Sequence, residues 1–293
     1  MYYRRKVVLA LLEALGGELT RTDLQKHMLL FTQTQKEPAY DFVPYQYGCY
    51  SFSLEADHAP MIRSGLLSAG EAWRKTTRTS YTGALHAEDR DRLCRHREKY
   101  GSLRGNELIR TVYLAHPYYA TRSKIASDLL DDREQAVVEA SRPPKGEPAL
   151  LTVGYEGRSF EAYLNTILRE GVTVLCDVRK NPISRKYGFS KRILKASVEK
   201  VGIRYVHIPE LGIASGKRQA LTSPEAYSTL FDEYERETLP ERENELKRIE
   251  ELVQNGERVA LTCFEACPSD CHRSRVSDAL AKLPQWNAPV YHV

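Results

Sequence analysis

Residues 257–275, ERVALTCFEACPSDCHRSR, bring thiols, a carboxylate, an imidazole and an arginine into one short stretch. The groups that could do chemistry are Cys263, Glu265, Cys267, Cys271, His272 and Arg273. They follow an apolar run at 259–261 and precede a helical pattern that starts at Val276. A strand that ends in polar residues and continues into a helix is how open α/β sheets build ligand sites. The sequence therefore predicts that the chemistry of this chain is located in this loop.

Two kinds of catalysis fit these residue types. A cysteine at a strand end, near arginines and before a helix, can act as a nucleophile, so Cys263 is a candidate, with His272 as a further catalytic candidate. Alternatively, a carboxylate activates water, and Glu265 and Asp177 are the candidates for that acid/base role. The second chemistry suits base removal from a nucleic acid or phosphodiester hydrolysis. The residues alone leave both possibilities open.

A zinc site would have to use Cys263, Cys267, Cys271 and His272. Their spacing, C-x3-C-x3-C-H, differs from the usual zinc patterns, in which two ligand pairs are separated by a longer segment. Neighbours such as Cys271 and His272 also rarely point in the same direction. We therefore predict no metal and no other cofactor.

Other predicted strands of the second half also end in polar residues. The residues at these ends are Tyr155 and Glu156, Asp177 and Arg179, and His207 and Glu210. If the sheet is parallel, its strand ends lie on one edge, so these groups can converge with the cysteine loop although they are far apart in the chain.

The segment 179–195 is rich in cations and contains no aspartate or glutamate. Its single proline, Pro182, its glycine and its aromatic residues predict a loop with rings exposed among the charges, which suits a phosphate backbone with stacked bases. The predicted nucleic-acid or phosphate contacts are Tyr155, Glu156, Arg179, Arg185, Lys186, Phe189, Lys191, Arg192 and Arg273. The predicted partner is nucleic acid, DNA ahead of RNA.

The chain of 293 residues is long enough for two domains. The stretch SRPPKGEP at 141–148 is the predicted linker, because its prolines and glycine cannot continue a helix. Residues 1–140 are predicted to be mainly α-helical and winged-helix-like, with a β-hairpin wing in WRKTTRTSYTG at 73–83. Any DNA contact of this half is expected from its cations at 4–6 and 74–78. Residues 149–293 alternate apolar strands with helices, which predicts an α/β domain with a mostly parallel sheet covered by helices on both faces.

Four blocks of the second half resemble the domain-of-unknown-function family 488. The blocks are TVGYEG, LCDVRKNPISRKYGFSK, GIRYVHIPELG and VALTCFEACPSDCHRSRVSDAL, and their order and spacing agree across residues 150–283. This resemblance implies an α/β domain with a polar cleft built from the four blocks, and it implies no activity. Residues 45–67 show a weaker resemblance to the antitoxin-type Panacea domain, also called SocA-like, with Cys49 at a position where proline is expected.

The composition, 42% hydrophobic and 28% charged, is that of a globular protein, and the net charge of +4 is mild. No apolar run approaches the roughly 20 residues that cross a bilayer. Glu13 and Glu18 interrupt the apolar start, so this stretch is predicted to be a first helix and not a signal peptide. The protein is therefore predicted to be cytoplasmic and to have no membrane partner. Six cysteines are too few for a disulfide framework in a chain of this length. No oligomeric state is predicted.

The leading functional hypothesis is a nucleic-acid-binding protein whose second half acts on nucleic acid or a nucleotide. One alternative is a cysteine-dependent enzyme, similar to sulfurtransferases or phosphatases, that acts on a small molecule. Another is a non-enzymatic regulator or antitoxin-like module that senses a nucleotide.

Overall fold

The computed structural model describes residues 1–214, 216 and 224–293. The chain divides into two compact units, Met1–Arg142 and Pro143–Val293. Each unit has a buried hydrophobic cluster of its own. No helix in the described part of the chain is long and apolar enough to span a membrane.

The first unit is mainly helical. Its helices are Tyr3–Ala14 (α1), Arg21–Thr32 (α2), Phe52–Arg63 (α3), Ala87–Tyr100 (α4), Gly105–Ala115 (α5), Ala126–Leu129 (α6) and Asp132–Ala140 (α7). Its short strands are Glu18–Leu19 (β1), Val43–Tyr45 (β2), Gly48–Tyr50 (β3) and Trp73–Arg74 (β4). Helix α2 begins where the Thr20 side chain accepts a hydrogen bond from the Asp23 amide at 3.1 Å, a standard N-cap that satisfies a free amide of the first turn.

The β-hairpin predicted for residues 73–83 is wrong. Strand β4 pairs antiparallel with β1, and an isolated bridge joins Leu67 to Lys75. Residues 82–84 form a 3-10 turn instead of a returning strand. Burial of Trp73, which is only 1% exposed, stabilises strand β4. The Thr-rich residues that follow have no large apolar side chain of this kind to anchor a second strand.

The second unit is an α/β domain with a five-stranded, fully parallel sheet. Its strands are Ala149–Gly154 (β5), Val174–Asp177 (β6), Arg204–His207 (β7), Arg258–Cys263 (β8) and Val290–His292 (β9). Its helices are Phe160–Arg169 (α8), Lys191–Lys200 (α9), Pro224–Glu233 (α10), Glu243–Gln254 (α11) and His272–Ala281 (α12). The strand order is β7-β6-β8-β5-β9, which places β8 in the centre. The predicted α/β class and parallel sheet are confirmed.

Helices cover both faces of this sheet. On one face, Ile249 of α11 and Val276 of α12 share a core cluster with Leu261 of β8. Side chains alternate along a strand, so Thr262 points to the opposite face, where it accepts a 2.7 Å hydrogen bond from the Tyr163 hydroxyl of α8. The central strands β5 and β8 are buried on both sides, and this explains the consecutive apolar residues at 149–151 and 259–261 in the sequence.

Candidate active site

The strand register brings four polar chain segments to the carboxyl edge of the sheet. Asp177 at the end of β6 lies opposite Thr262 of β8 and His207 of β7. Gly154 at the end of β5 lies opposite Cys263. The residues that follow these strands form two groups at this edge, which we call the arginine–tyrosine network and the thiol–imidazole cluster.

The arginine–tyrosine network consists of Asp177, Arg179, Tyr155, Tyr205 and Phe189. The Asp177 carboxylate accepts hydrogen bonds from Arg179 Nε at 2.8 Å, Arg179 Nη2 at 2.6 Å and the Arg179 amide at 3.1 Å. It also accepts one from the Tyr205 hydroxyl at 2.6 Å. Arg179 Nη1 donates to the Tyr155 hydroxyl at 3.0 Å and to the Phe189 carbonyl at 2.8 Å. The charges of Asp177 and Arg179 are therefore compensated within the protein.

Burial and neighbouring charges shift the pKa values of Arg179 and Tyr205. Burial alone would lower the pKa of Arg179, but the hydrogen bonds and the charge of Asp177 outweigh it and raise that pKa. Burial, followed by the negative charge of Asp177, raises the pKa of Tyr205. Asp177 is fully buried and already accepts four hydrogen bonds. A substrate would reach it only by displacing Arg179 or Tyr205, which argues against the predicted acid/base role of Asp177.

The prediction that Phe189 is exposed among the cations is wrong. Phe189 is fully buried and stacks on Tyr155, with ring centroids 4.1 Å apart and an interplanar angle of 9°. Tyr155 is itself only 3% exposed. Both rings therefore pack against protein, and neither presents a face for base stacking. Arg179 is likewise 7% exposed, so its predicted contact with phosphate does not fit its position.

The thiol–imidazole cluster consists of Cys263, Cys271 and His272, all buried. His272 Nδ1 lies 3.5 Å from Cys263 Sγ and 3.8 Å from Cys271 Sγ. His272 Nε2 lies 3.0 Å from the carbonyl oxygen of Val178 and must donate there, because a carbonyl only accepts. In neutral His272 the lone pair of Nδ1 therefore faces the two sulfurs. Burial, followed by the neighbouring Cys263, raises the pKa of the Cys271 thiol well above its ordinary value.

Glu265 borders this cluster from the loop. Its Oε2 lies 3.3 Å from Cys263 Sγ, and the side chain is half-buried rather than enclosed. Of the two carboxylates predicted for acid/base chemistry, Glu265 is thus the one that a ligand can approach. Cys267 is exposed, and its Sγ lies 3.0 Å from Ser269 Oγ, outside the cluster.

Arg273 supports the loop instead of facing an open anion site, which corrects the role predicted for it. It is fully buried, and its guanidinium donates to the carbonyl oxygens of Glu265 and Ala266. Glu156, also predicted to contact nucleic acid, accepts from the Ala266 amide at 3.0 Å. Gly154 completes this support, since a Cβ there would lie 1.9 Å from the Glu265 carbonyl oxygen. These contacts restrain the backbone conformation of the loop where it crosses the strand ends.

The exposed cations of segment 179–195 lie beside these groups. Lys186 Nζ donates to the Tyr155 carbonyl at 3.0 Å, and burial lowers the pKa of this lysine. Lys191 Nζ lies 2.8 Å from His207 Nδ1, and His207 Nε2 lies 2.9 Å from the Arg179 carbonyl. Arg185 and Arg192 are exposed. Four of the predicted phosphate contacts thus have their side chains on the surface or close to it.

Sequence reasoning missed Tyr205 and treated Cys271 only as a possible zinc ligand. Tyr205 lies two residues before His207, so strand alternation places both on the face that Asp177 occupies. That alternation was the available signal. The backbone carbonyl of Val178 orients His272. The sequence could not indicate this contact, because every residue has a backbone carbonyl.

Residues 159–280, which lie within the α/β unit, match the family model described as Domain of unknown function DUF488. The resemblance predicted from the four sequence blocks is confirmed for this range. No curated protein matches the chain, and no solved structure does.

Proposed function

We propose that the α/β unit binds nucleic acid, DNA ahead of RNA, through the exposed cations of segment 179–195. One observation carries this proposal: Arg185 and Arg192 are exposed at the carboxyl edge of the sheet and form no ion pair with any described residue. Cations without carboxylate partners remain available to phosphates, and binding then releases the counterions of the nucleic acid.

Exposed apolar side chains among these cations support the same proposal. Ile183 is 86% exposed and Tyr187 is 37% exposed, and both lie in the same segment. Phe264, at the start of the cysteine loop, is 44% exposed. Stacking on an exposed ring is a common way to hold unpaired bases, so Tyr187 and Phe264 replace Tyr155 and Phe189 as the proposed stacking residues.

The cations of the first unit are weaker candidates for this contact. Arg4 and Arg5 both bind the buried carboxylate of Asp57, at 2.7 Å each. Arg74 pairs with Glu18 and Lys75 with Glu13. We assign to this unit the recognition of a target or partner. Its winged-helix character stays part of this proposal, supported by the antiparallel pairing of β1 with β4 beside helices α1, α2 and α3 in the order α1, β1, α2, β2, β3, α3, β4.

The triple substitution Arg185→Ala, Lys191→Ala, Arg192→Ala is expected to weaken DNA binding and to reduce the slope of log K against log salt concentration by about 2–3. Fluorescence anisotropy with single-stranded DNA, duplex DNA and RNA over a salt series measures both effects. The matched control removes three exposed lysines outside the segment, Lys200, Lys247 and Lys282. Binding that ignores salt, or an equal loss in both triple variants, would contradict the proposal.

We further propose that Glu265 acts on the bound nucleic acid as the acid/base carboxylate, in base removal or phosphodiester hydrolysis. The half-buried position of Glu265 supports this role. The carboxylate of Asp177, in contrast, forms an ion pair with Arg179 and accepts a hydrogen bond from Tyr205. The second candidate is thiol chemistry at Cys263, favoured by the His272 imidazole 3.5 Å away and by Glu265 at 3.3 Å.

Labelled oligonucleotides separate these two reactions. If Glu265 is the working carboxylate, Glu265→Gln lowers the rate by about 100-fold or more, whereas Cys263→Ser retains turnover. Alkali-labile sites in the product indicate base removal, and direct strand breaks indicate hydrolysis. Asp270→Asn, an exposed carboxylate of the same loop, is the control that should leave the rate unchanged. Selective alkylation of Cys263 with loss of activity would favour the thiol enzyme instead.

A further inference from the structure

Three buried side chains at the carboxyl edge have the composition of a soft-metal site. We propose that Cys263, Cys271 and His272 bind a divalent transition-metal ion of the zinc class. Their three ligand atoms lie within 4.8 Å of one another. Thiolate and imidazole are the ligands that Zn²⁺ prefers over carboxylate and water. This proposal is independent of nucleic-acid binding.

The two sulfur–nitrogen distances fit a tetrahedral shell. Bond lengths of about 2.3 Å for Zn–S and about 2.0–2.1 Å for Zn–N place sulfur and nitrogen about 3.6 Å apart at the tetrahedral angle. His272 Nδ1 lies 3.5 Å from Cys263 Sγ and 3.8 Å from Cys271 Sγ. An ion could therefore enter between these atoms with little movement of the side chains.

His272 is also held in the orientation that a metal ligand needs. Its Nε2–H donates to the Val178 carbonyl oxygen at 3.0 Å. Metal-binding histidines almost always donate their second ring N–H to a carbonyl or a carboxylate, which fixes the tautomer and aims the other nitrogen at the ion. The Val178 contact is a second observation, separate from the sulfur–nitrogen distances, that points to a ligand.

The structure removes one reason for doubting a metal here. From the sequence alone, Cys271 and His272 are expected to point apart, and Cys267 would have to be one of the ligands. Instead, Cys271 Sγ and His272 Nδ1 face a common centre, and Cys267 is exposed and outside it. The ligand spacing is therefore C-x7-C-H.

Three protein ligands leave a fourth coordination position, as in catalytic zinc sites. Binding would deprotonate the thiols of Cys263 and Cys271 and release two protons to solvent, so that two thiolates balance the charge of the ion. Glu265, with Oε2 3.3 Å from Cys263 Sγ, borders the site and is the carboxylate best placed beside the fourth position.

The test uses the full chain, stripped of metal with a chelator and kept reduced. We expect it to bind one equivalent of added Zn²⁺ or Co²⁺, with Co²⁺ giving sulfur-to-cobalt charge-transfer absorption and the visible bands of a tetrahedral site. Added Zn²⁺ should protect Cys263 and Cys271 from iodoacetamide, as mapped by mass spectrometry, and leave the exposed Cys94 and Cys267 reactive. These readouts need no variant, so they stand even if a substitution prevents folding.

Variants then identify the ligands. Cys263→Ser, Cys271→Ser and His272→Ala are each expected to weaken Co²⁺ binding by at least about 100-fold, since even outer-shell changes cost 10–100-fold. Cys267→Ser is the matched control and should retain the wild-type spectrum. Equal alkylation with and without Zn²⁺, a Cys263–Cys271 disulfide that forms on mild oxidation in the presence of Zn²⁺, or loss of binding in Cys267→Ser would each overturn the assignment.

Discussion

Replacing Arg179 by alanine is expected to lower the free energy of unfolding of the α/β unit by about 3–5 kcal/mol. The substitution leaves the fully buried Asp177 without its ion-pair partner, and removing one member of a buried pair strands the other charge in a medium that solvates it poorly. It also removes the hydrogen bonds to the Tyr155 hydroxyl and the Phe189 carbonyl. The loss therefore exceeds that of any surface ion pair, for which about 0–1 kcal/mol is typical.

Hydrogen exchange over a urea series, followed on peptides that cover β5, β6 and β8, measures this loss within the α/β unit. Asp177→Asn should have a similar effect, because it leaves Arg179 buried without a counter-charge. Arg185→Ala, which removes an exposed arginine from the same segment, is the matched control. An Arg179→Ala variant within about 0.5 kcal/mol of the wild type would show that the network does not hold the strand ends together.

The two groups at this edge differ in composition and in the side chains that border them. The arginine–tyrosine network satisfies its own charges and joins β5, β6 and β7 beneath the cation-rich segment. The thiol–imidazole cluster lies on the neighbouring strand end and faces Glu265, which is half-buried. We infer that the first group positions the cation-rich segment, through the hydrogen bond from Arg179 to the Phe189 carbonyl.

The parallel sheet was predictable because its central strands contain apolar residues at consecutive positions instead of at every second one. Val259, Ala260 and Leu261 are all buried, so both faces of the strand contribute to the pattern. The convergence of the strand ends then follows from the parallel topology alone. The hairpin predicted at 73–83 does not form, because a Thr-rich segment has β-propensity whether or not a partner strand is present.

The roles within the site could not be read from residue type. Asp177, Glu265 and Arg179 are all titratable groups at strand ends, yet Asp177 and Arg179 neutralise each other. That pairing forms because the Arg179 side chain folds back past Val178 to the carboxylate two residues earlier, and the sequence does not specify this conformation. Phe189 and Tyr187 are both aromatic residues of one basic segment, and only packing decides that the first is buried and the second is exposed.

Acidification from pH 6.5 to 4.5 is expected to destabilise the first unit by about 4–5 kcal/mol, through His27 and His96. Their rings are buried, with His27 Nδ1 3.2 Å from His96 Nε2. Burial lowers the pKa of His27 to about 4 and that of His96 to about 3, and the neighbouring His27 adds to the second shift. The unfolded chain takes up protons below its ordinary histidine pKa of 6.5, while the folded unit does not, so stability falls as the pH decreases through this window.

Urea unfolding at several pH values, read by hydrogen exchange on peptides from α2 and α4, tests this effect. Carboxylates such as Asp57 contribute to the acid sensitivity below this pH window. Burial raises the pKa of Asp57, but hydrogen bonds from Arg4 and Arg5 lower it by more.

His96→Gln keeps a hydrogen-bonding group opposite His27 and removes one titrating ring, so it should reduce the pH dependence by about half. Burial also lowers the pKa of His58 and His116, which leaves a residual slope. His86→Gln, an exposed histidine, is the control, and an unchanged pH dependence in His96→Gln would assign the acid sensitivity to other groups.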